Sequence, residues 1–388
     1  MRVAILTTDN REHYKDYRNP VPHFGTAPEA LLQGFSQWPD LEIHVVSCVR
    51  EQTHSPQKLG ENIWFHSLVV PKTGWMRTLY QGCIRATRKK VREIRPDLVH
   101  GQGTEKDCAI SAIFSGIPNV LTIHGNQRLI AEVTKAKPLS FAWLAARLEG
   151  LTIPRSDGVV CITQYTRDVV APFAQQTWVV PNAVDARFFD VENEPEENRT
   201  ILCVGNVCVR KNQNAFIRAL DDCALAKKAR VVFLGQAVKG EPYVEEFFRL
   251  VNGRPWCKYA GFADRDALRQ YLQHASLVTL PSLEDNCPMV VLESMAAGVP
   301  VVAARVGGLP DLIDDGKTGL FCDPLDSTSM RNALERMLTN SAMASELAKA
   351  AKQRARERFH PHVIAGKHVE IYQQVLAQNK NRNDSNSP

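Results

Sequence analysis

Short, almost uninterrupted apolar runs recur along the chain, each separated from the next by a helix-length gap, and this rhythm restricts the fold more than any other feature. In the first half the runs are Val3–Leu6, Ile43–Val49, Ile63–Val70, Leu98–His100, Val120–His124, Val159–Thr163 and Trp178–Val180. In the second half they are Ile201–Val204, Val231–Leu234, Lys258–Ala260, Leu277–Leu280, Val301–Ala304 and Leu320–Cys322. Strands that are apolar on both faces and alternate with helices belong in a parallel sheet covered by helices on either side. The chain has 388 residues, enough for two such domains. The break falls at Asp190–Arg199, DVENEPEENR, which is acidic, holds a proline and has almost nothing apolar. The expected fold class is therefore α/β, with two Rossmann-like doubly wound domains facing each other across a cleft. Residues 1–189 form the first domain, 190–199 a linker and 200–358 the second domain. Residues 359–378 form a C-terminal helix returning to the first domain, and 379–388 a polar, disordered tail.

Composition narrows the class of partner. A net charge of +5 permits an anionic ligand but gives no basis for nucleic-acid binding. Ten cysteines are scattered without a Cys-x-x-Cys pair or zinc spacing, and read as small buried hydrophobes in a reducing compartment. The N-terminus enters a strand at once, so no signal peptide is expected, and no apolar run approaches a membrane span. A cytoplasmic protein is expected, or one peripheral on the cytosolic face of a membrane. Peripheral contact would use residues 80–95. There Tyr80, Ile84, Thr87, Val91 and Ile94 follow helical spacing, and Arg85, Arg88, Lys89, Lys90, Arg92 and Arg95 fill the other face. A solvated charged face explains the same run.

Other segments of the first half bear on ligand approach. Pro28–Trp38 reads as a helix after a loop containing Gly25, whose lack of a side chain allows close approach to the backbone or simply makes a turn. Asn126–Pro138 reads as an irregular insertion after a strand, and Leu139–Leu151 as a helix. Such insertions often carry acceptor-binding loops.

Three features point to a phosphate ester of a sugar. The first is Gly205-Asn206-Val207-Cys208-Val209-Arg210-Lys211-Asn212, which follows the second domain's first strand and opens a helix. Two cations beside free helix amides suit a diphosphate, although a solvent-exposed basic turn has the same composition. The second is Thr279–Val302: a strand, a turn with Asp285, a helix opened by Pro288 and closed by Gly298, then a strand. Asp285 lies in the loop and Glu293 on the helix, so the two carboxylates can accept hydrogen bonds from separate polyol groups. Asn286, Cys287, Pro288, Met289 and Val290 bring the helix-opening amides toward a phosphate. Helix capping by Asp285 or Asn286 is the plainer alternative. The third is His124 at the carboxyl end of a strand, where open α/β sheets place ligand sites. His100 has a similar position and a weaker claim.

Taken together these residues resemble the retaining glycosyltransferases of family 4, which have the GT-B fold. That family's Pro-Ser, Glu-x7-Glu and Ala-Met-Ala-x-Gly-x-Pro-Val-Val elements stand here as PSLEDNCPMVVLESMAAGVPVV. VPNAVDARFF, VGNVCVRKN, YAGFADRDAL and GGLPDLIDDGKTGLFCDP also match, as do PDLVHGQG, LTIHGN and SDGVVCITQYTRD in the first half. The likeness spans nearly the whole chain and is loosest over residues 11–71. There are departures. Asp285 replaces the first glutamate, Asn206 replaces a common arginine, Asp311 replaces a glutamate, and paired glycines of the first loop are reduced to Gly25.

The resemblance implies transfer of a sugar from a nucleotide-diphosphate sugar to a glycan, lipid-linked or small-molecule acceptor, with retention at the anomeric carbon. In it Arg210 and Lys211 stabilise the departing diphosphate, Asp285 orients the sugar, Glu293 holds the ribose, Phe262 lies near the base, and His124 faces the sugar. No cofactor or metal is expected, since the cations supply the charge and no Asp-x-Asp motif suited to a divalent ion is found. Polysaccharide biosynthesis is one setting for such a reaction. A nucleotide-sugar epimerase, a glycan phosphorylase and a non-catalytic nucleotide-sugar-binding protein are the alternatives on the same architecture.

Overall fold

A computed structural model describes residues 1–196, 199–222 and 229–385. The chain divides into two compact units, 1–183 together with 361 onward, and 184–360. The first unit contains strands β1 (Arg2–Leu6), β2 (Glu42–Val49), β3 (Lys58–Gly60), β4 (Ile63–Val69), β5 (Leu98–Gln102), β6 (Asn119–Ile123), β7 (Gly158–Cys161) and β8 (Thr177–Val179). They form one sheet in the order β3-β4-β2-β1-β5-β6-β7-β8, parallel except for the β3–β4 pair. The apolar runs of the sequence account for every strand but β3, whose KLG carries no apolar alternation.

The second unit contains β9 (Thr200–Val204), β10 (Arg230–Leu234), β11 (Cys257–Gly261), β12 (Leu277–Leu280), β13 (Val301–Ala304) and β14 (Leu320–Cys322). Its sheet is wholly parallel, in the order β11-β10-β9-β12-β13-β14. The strand order reverses beside β9 here, and beside β1 in the first unit. Loops leaving the carboxyl ends of the strands diverge at that reversal and open a crevice for ligands.

The helices obey local chemistry. Asn126, Ser140, Thr163, Asp264, Asp326 and Asn340 each accept a backbone N–H from the first turn of the helix they precede. The segment expected to be irregular after β6 therefore holds a helix, Gln127–Val133, started by the Asn126 cap. The basic segment is a helix over Gln81–Ile94 that buries Cys83, Ile84, Thr87, Val91 and Ile94. Its apolar face is thus committed to the core, and only the cationic face meets solvent. Among the described residues no helix is long and apolar enough to cross a membrane.

Three boundary expectations change. The units divide at Ala183 and Pro361 rather than at 189 and 359. Residues 190–199 do not act as a linker, because they are strapped to the second unit. Val191 is buried, Asn193 Nδ2 donates to the Leu272 and Ala275 carbonyls, Glu194 N donates to Gln273 O, and Lys352 Nζ donates to Val191 O. Residues 197–198 of that stretch lie outside the described residues. The polar tail is helical for most of its length, since the last helix runs Pro361–Ser385, and residues 386–388 lie outside the described residues.

That last helix packs in the first unit's core, as expected. Ile364, Ala365, Ile371, Tyr372 and Val375 join Val3, Ile5, Phe35 and Ile43 in one buried cluster, each large apolar side chain contributing about 1.5–3 kcal/mol by burial. A Cβ on Gly34 would lie 2.2 Å from Pro361 O, so glycine is what lets the two helices approach.

Candidate functional site

The loops after β9 and β12, either side of the strand-order reversal, carry the second unit's site. After β9 the chain makes a short turn, Val209–Lys211, and Asn212 adopts a left-handed conformation (φ 59°) to start the helix Gln213–Leu220. The turn aims Arg210 and Lys211 at the loop after β12. Lys211 Nζ lies 2.5 Å from Asp285 Oδ2, and Arg210 Nη1 lies 3.0 Å from Asp285 Oδ1. Arg210 also donates to the Glu284 carbonyl at 2.8 Å and accepts from Leu283 N at 2.8 Å. The Asp285 and Lys211 side chains are 9% and 12% exposed, and Arg210 is half-exposed.

A third loop fixes the same residue through its backbone carbonyl. Gly308 N donates to Asp285 O at 3.0 Å, and a Cβ on Gly307 (φ 53°) would fall 1.9 Å from that oxygen. Only glycine admits this approach. Asp285 is thus held at backbone and side chain by three loops, at the entrance of the helix Met289–Ala297. Pro288 precedes that helix, and Gly298 ends it in the left-handed region (φ 75°).

Glu293 lies on this helix, 4% exposed. Burial pushes its carboxyl up to about 7, against the pull of the Arg265 guanidinium. Asp185 joins Arg265 in a charged group, pairing with Arg187 at 2.8 Å and with Arg265 at 3.3 Å, while Arg187 reaches Asp266. Phe262, just after β11, is 66% exposed and presents an uncovered ring. Residues 264–266 carry the Asp-x-Asp spacing. Their carboxylates are engaged within the protein, Asp264 capping the helix Arg265–His274 and Asp266 pairing with Arg187 and Arg269.

In the first unit His124 follows β6 and donates from Nε2 to Gln102 Oε1 at 2.8 Å. Burial lowers its pKa. Behind it, the buried Glu149 accepts from Gln127 N, Arg128 N and Thr104 Oγ1, fixing the turn that His124 begins. Gly25 (φ 87°) starts the helix Thr26–Phe35. Among the described residues, one group brings three candidate metal donors together: Cys48, Cys83 and Asp107, all buried. The hydrogen bond with Cys83, and then burial, raise the Cys48 thiol well above its usual range, and burial raises Asp107.

Comparison with known proteins converges on one family. Residues 184–358 match the family model described as glycosyl transferases group 1, and residues 31–188 match glycosyltransferase family 4. Together these account for well over half the chain. The protein belongs to glycosyltransferase family 4. It is 31% identical over 166 residues to the sulfoquinovosyl transferase SQD2 of Arabidopsis thaliana, a match covering 42% of this chain and 31% of that protein. It is 25% identical over 296 residues to a glycogen synthase of Mycobacterium tuberculosis, covering 72% and 69%. The solved structure of Anabaena HepE in complex with UDP-glucose aligns with a TM-score of 0.71 at 18% identity, covering 96% of this chain and all of that one. That likeness establishes the two-domain GT-B fold.

Within this glycosyltransferase the structure brings Arg210, Lys211 and Asp285 into direct contact and places Asn286, Cys287, Pro288, Met289 and Val290 at the adjoining helix entrance. Glu293 lies further along that helix, Phe262 on a separate loop, and His124 and Gly25 in the other unit. Asn206, in place of the family's arginine, accepts from Gln236 N and ties the loops after β9 and β10. Residue-by-residue reasoning missed Gly307 and Gly308, although the Gly-Gly doublet after β13 was a visible signal. It also missed Asp185 and Arg265, although both lie in stretches that match the family, and Glu149, whose partners Thr104, Gln127 and Arg128 are remote in sequence.

Proposed function

We propose that the protein transfers a sugar from a nucleoside-diphosphate sugar to a hydroxyl acceptor, with retention at the anomeric carbon and without a divalent metal. The observation that carries this is the convergence of Arg210 and Lys211 on Asp285 at a helix entrance. That arrangement offers cations and helix-opening amides to a diphosphate and a carboxylate to sugar hydroxyls. HepE binding UDP-glucose on the same fold supports a nucleotide-sugar donor. The name of the glycogen synthase relative favours a glycan acceptor.

The C1–O bond to the β-phosphate breaks while the acceptor oxygen attacks C1 from the same face, and the acceptor proton passes to the departing phosphate. Arg210, Lys211 and the backbone N–H groups of Cys287, Met289 and Val290 stabilise the charge that grows on that phosphate. Asp285 orients the sugar, Glu293 accepts from the ribose hydroxyls, Phe262 lies near the base, and His124 faces the transferred sugar.

The test begins with a thermal-shift screen of UDP, GDP and ADP, since a bound nucleotide stabilises the fold by mass action. The preferred sugar nucleotide is then incubated with candidate acceptors in EDTA, and the product's anomeric configuration is read by NMR. Transfer with retention, undiminished by EDTA and abolished by Lys211→Ala or Glu293→Ala, is the expected result. Isomerised sugar without an acceptor points to an epimerase instead, an inverted product sinks retention, and activity unaffected by Lys211→Ala sinks the site.

A further inference from the structure

On β5, His100 and Gln102 stand two residues apart and so face the same side of the sheet. Thr122 pairs with Gln102 on β6. His368 and Tyr372, one turn apart on the C-terminal helix, share a face. The fold gathers these side chains around His124. His100 Nδ1 lies 2.6 Å from Tyr372 Oη, and His100 Nε2 lies 2.7 Å from Thr122 Oγ1 and 3.2 Å from Gln102 Nε2. Gln102 Oε1 in turn meets His124 Nε2 at 2.8 Å. The His368 ring stacks on His100 at 5.5 Å, with its Nδ1 on the Ile364 carbonyl.

The donor inventory gives this chain a direction. An amide NH2 only donates, so His100 Nε2 must accept, and the His100 proton sits on Nδ1, directed at Tyr372 Oη. The Thr122 hydroxyl is a second donor to His100 Nε2. An amide oxygen only accepts, so His124 carries its proton on Nε2. Burial lowers the pKa values of His100, His124 and His368, which keeps the three rings neutral near pH 7; Glu105 pulls His124 the other way but is the smaller influence. The Asn182 side chain also hydrogen-bonds His124. A void of about 10 Å3 lies against His124, Gln102, Asn182 and His368, room for no more than a single water.

We propose that Gln102, His100 and Tyr372 are positioning residues that fix the tautomer of His124 with its proton on Nε2, so that the C-terminal helix sets the hydrogen-bonding character of a residue in the sugar site. The functional half of this inference rests on the transferase role proposed above; the tautomer does not. Gln102 touches His124 directly, and Tyr372 acts through His100.

The test uses the full chain, uniformly 15N-labelled, and a long-range 1H–15N spectrum of its histidine rings at pH 7.5, with His124 assigned by its loss in His124→Gln. Wild-type protein should show the Nε2–H pattern for His124. Gln102→Met should move the His124 nitrogens toward the values of an averaging ring, and Tyr372→Phe should shift them in the same sense. In turnover, Gln102→Met should lower kcat by about tenfold to a hundredfold, by analogy with losing the hydrogen-bond partner that orients a metal-ligating histidine, with donor KM within about twofold. Gln102→Met lies on β5, so it keeps the test decisive where Tyr372→Phe loosens the helix. A wild-type His124 protonated on Nδ1 or charged overturns the inference, as does a Gln102→Met variant with unchanged ring signals. The spectrum needs no turnover. A pinned Nε2–H tautomer in a protein that transfers no sugar supports the network and sinks the transferase proposal instead.

Discussion

Replacing Asp285 by asparagine should tighten UDP binding while it destroys transfer. The Lys211 ammonium and the Arg210 guanidinium face the Asp285 carboxylate at 2.5 and 3.0 Å, and Glu284 Oε2 stands 3.6 Å from the same guanidinium. Two cations and two carboxylates leave no net charge. A diphosphate entering this group competes with Asp285 for both cations. Asparagine keeps the size and the backbone bond to Gly308 but removes one negative charge. Two unit charges about 5 Å apart at an effective dielectric near 20 interact by about 3 kcal/mol. Arg210 is 48% exposed, so salt and solvent reduce that to about 1–2 kcal/mol, or about fivefold to thirtyfold in Kd. Titration calorimetry with UDP at low and high salt reads this directly, and the gain should shrink as salt rises. Transfer should fall by about a hundredfold or more, because a neutral amide replaces the charge-assisted acceptor for the sugar hydroxyls. UDP binding that is unchanged or weaker in Asp285→Asn at low salt would refute the view that Asp285 holds the cations until the donor arrives.

Two further outcomes are expected. Glu293 is held near 7 by burial, above the 4.5 of an unburied glutamate; its folded-state pKa is raised, so its ionisation destabilises the fold progressively from about pH 4.5 to 7 and fully above that. Glu293→Gln should therefore raise Tm at pH 8, by at most about 3 kcal/mol of stability, leave it unchanged near pH 4.5, and weaken donor binding; an equal gain at both pH values would contradict the assignment. Gly307→Ala should displace Asp285, whose carbonyl would lie 1.9 Å from the new Cβ, and should cost far more in kcat than Gly316→Ala, a left-handed glycine with open space around it; equal losses would mean that backbone strain, rather than contact with Asp285, is responsible.

The strands and the order of elements could be read from the sequence because a parallel strand buried on both faces must be apolar along its length, and that signal is local. The same locality placed Arg210, Lys211 and Asp285, since each sits within a few residues of a strand end where the loop has little freedom. It failed where composition and tertiary contact disagree. Residues 190–199 look like a linker because they are acidic and contain a proline, yet Asn193 finds three carbonyls at the end of the helix Arg265–His274 and the segment is tied down. The tail beyond Gln378 looks disordered for the same compositional reason, although it extends a helix already anchored by Tyr372 and Val375 in the first unit's core.

The hydrogen-bond chain behind His124 was hidden for a further reason: its members come from β5, β6 and a helix some 270 residues later, with |i−j| of 272 between His100 and Tyr372. Each looks ordinary alone, a histidine in a strand or a tyrosine on an amphipathic helix. Only the register of β5 against β6, together with the docking of the last helix, gives His100 one donor-only neighbour and thereby decides which nitrogen of His124 holds a proton. A motif search can find His124 itself, because the chain around it is contiguous. The groups that determine its chemistry are contiguous only in space.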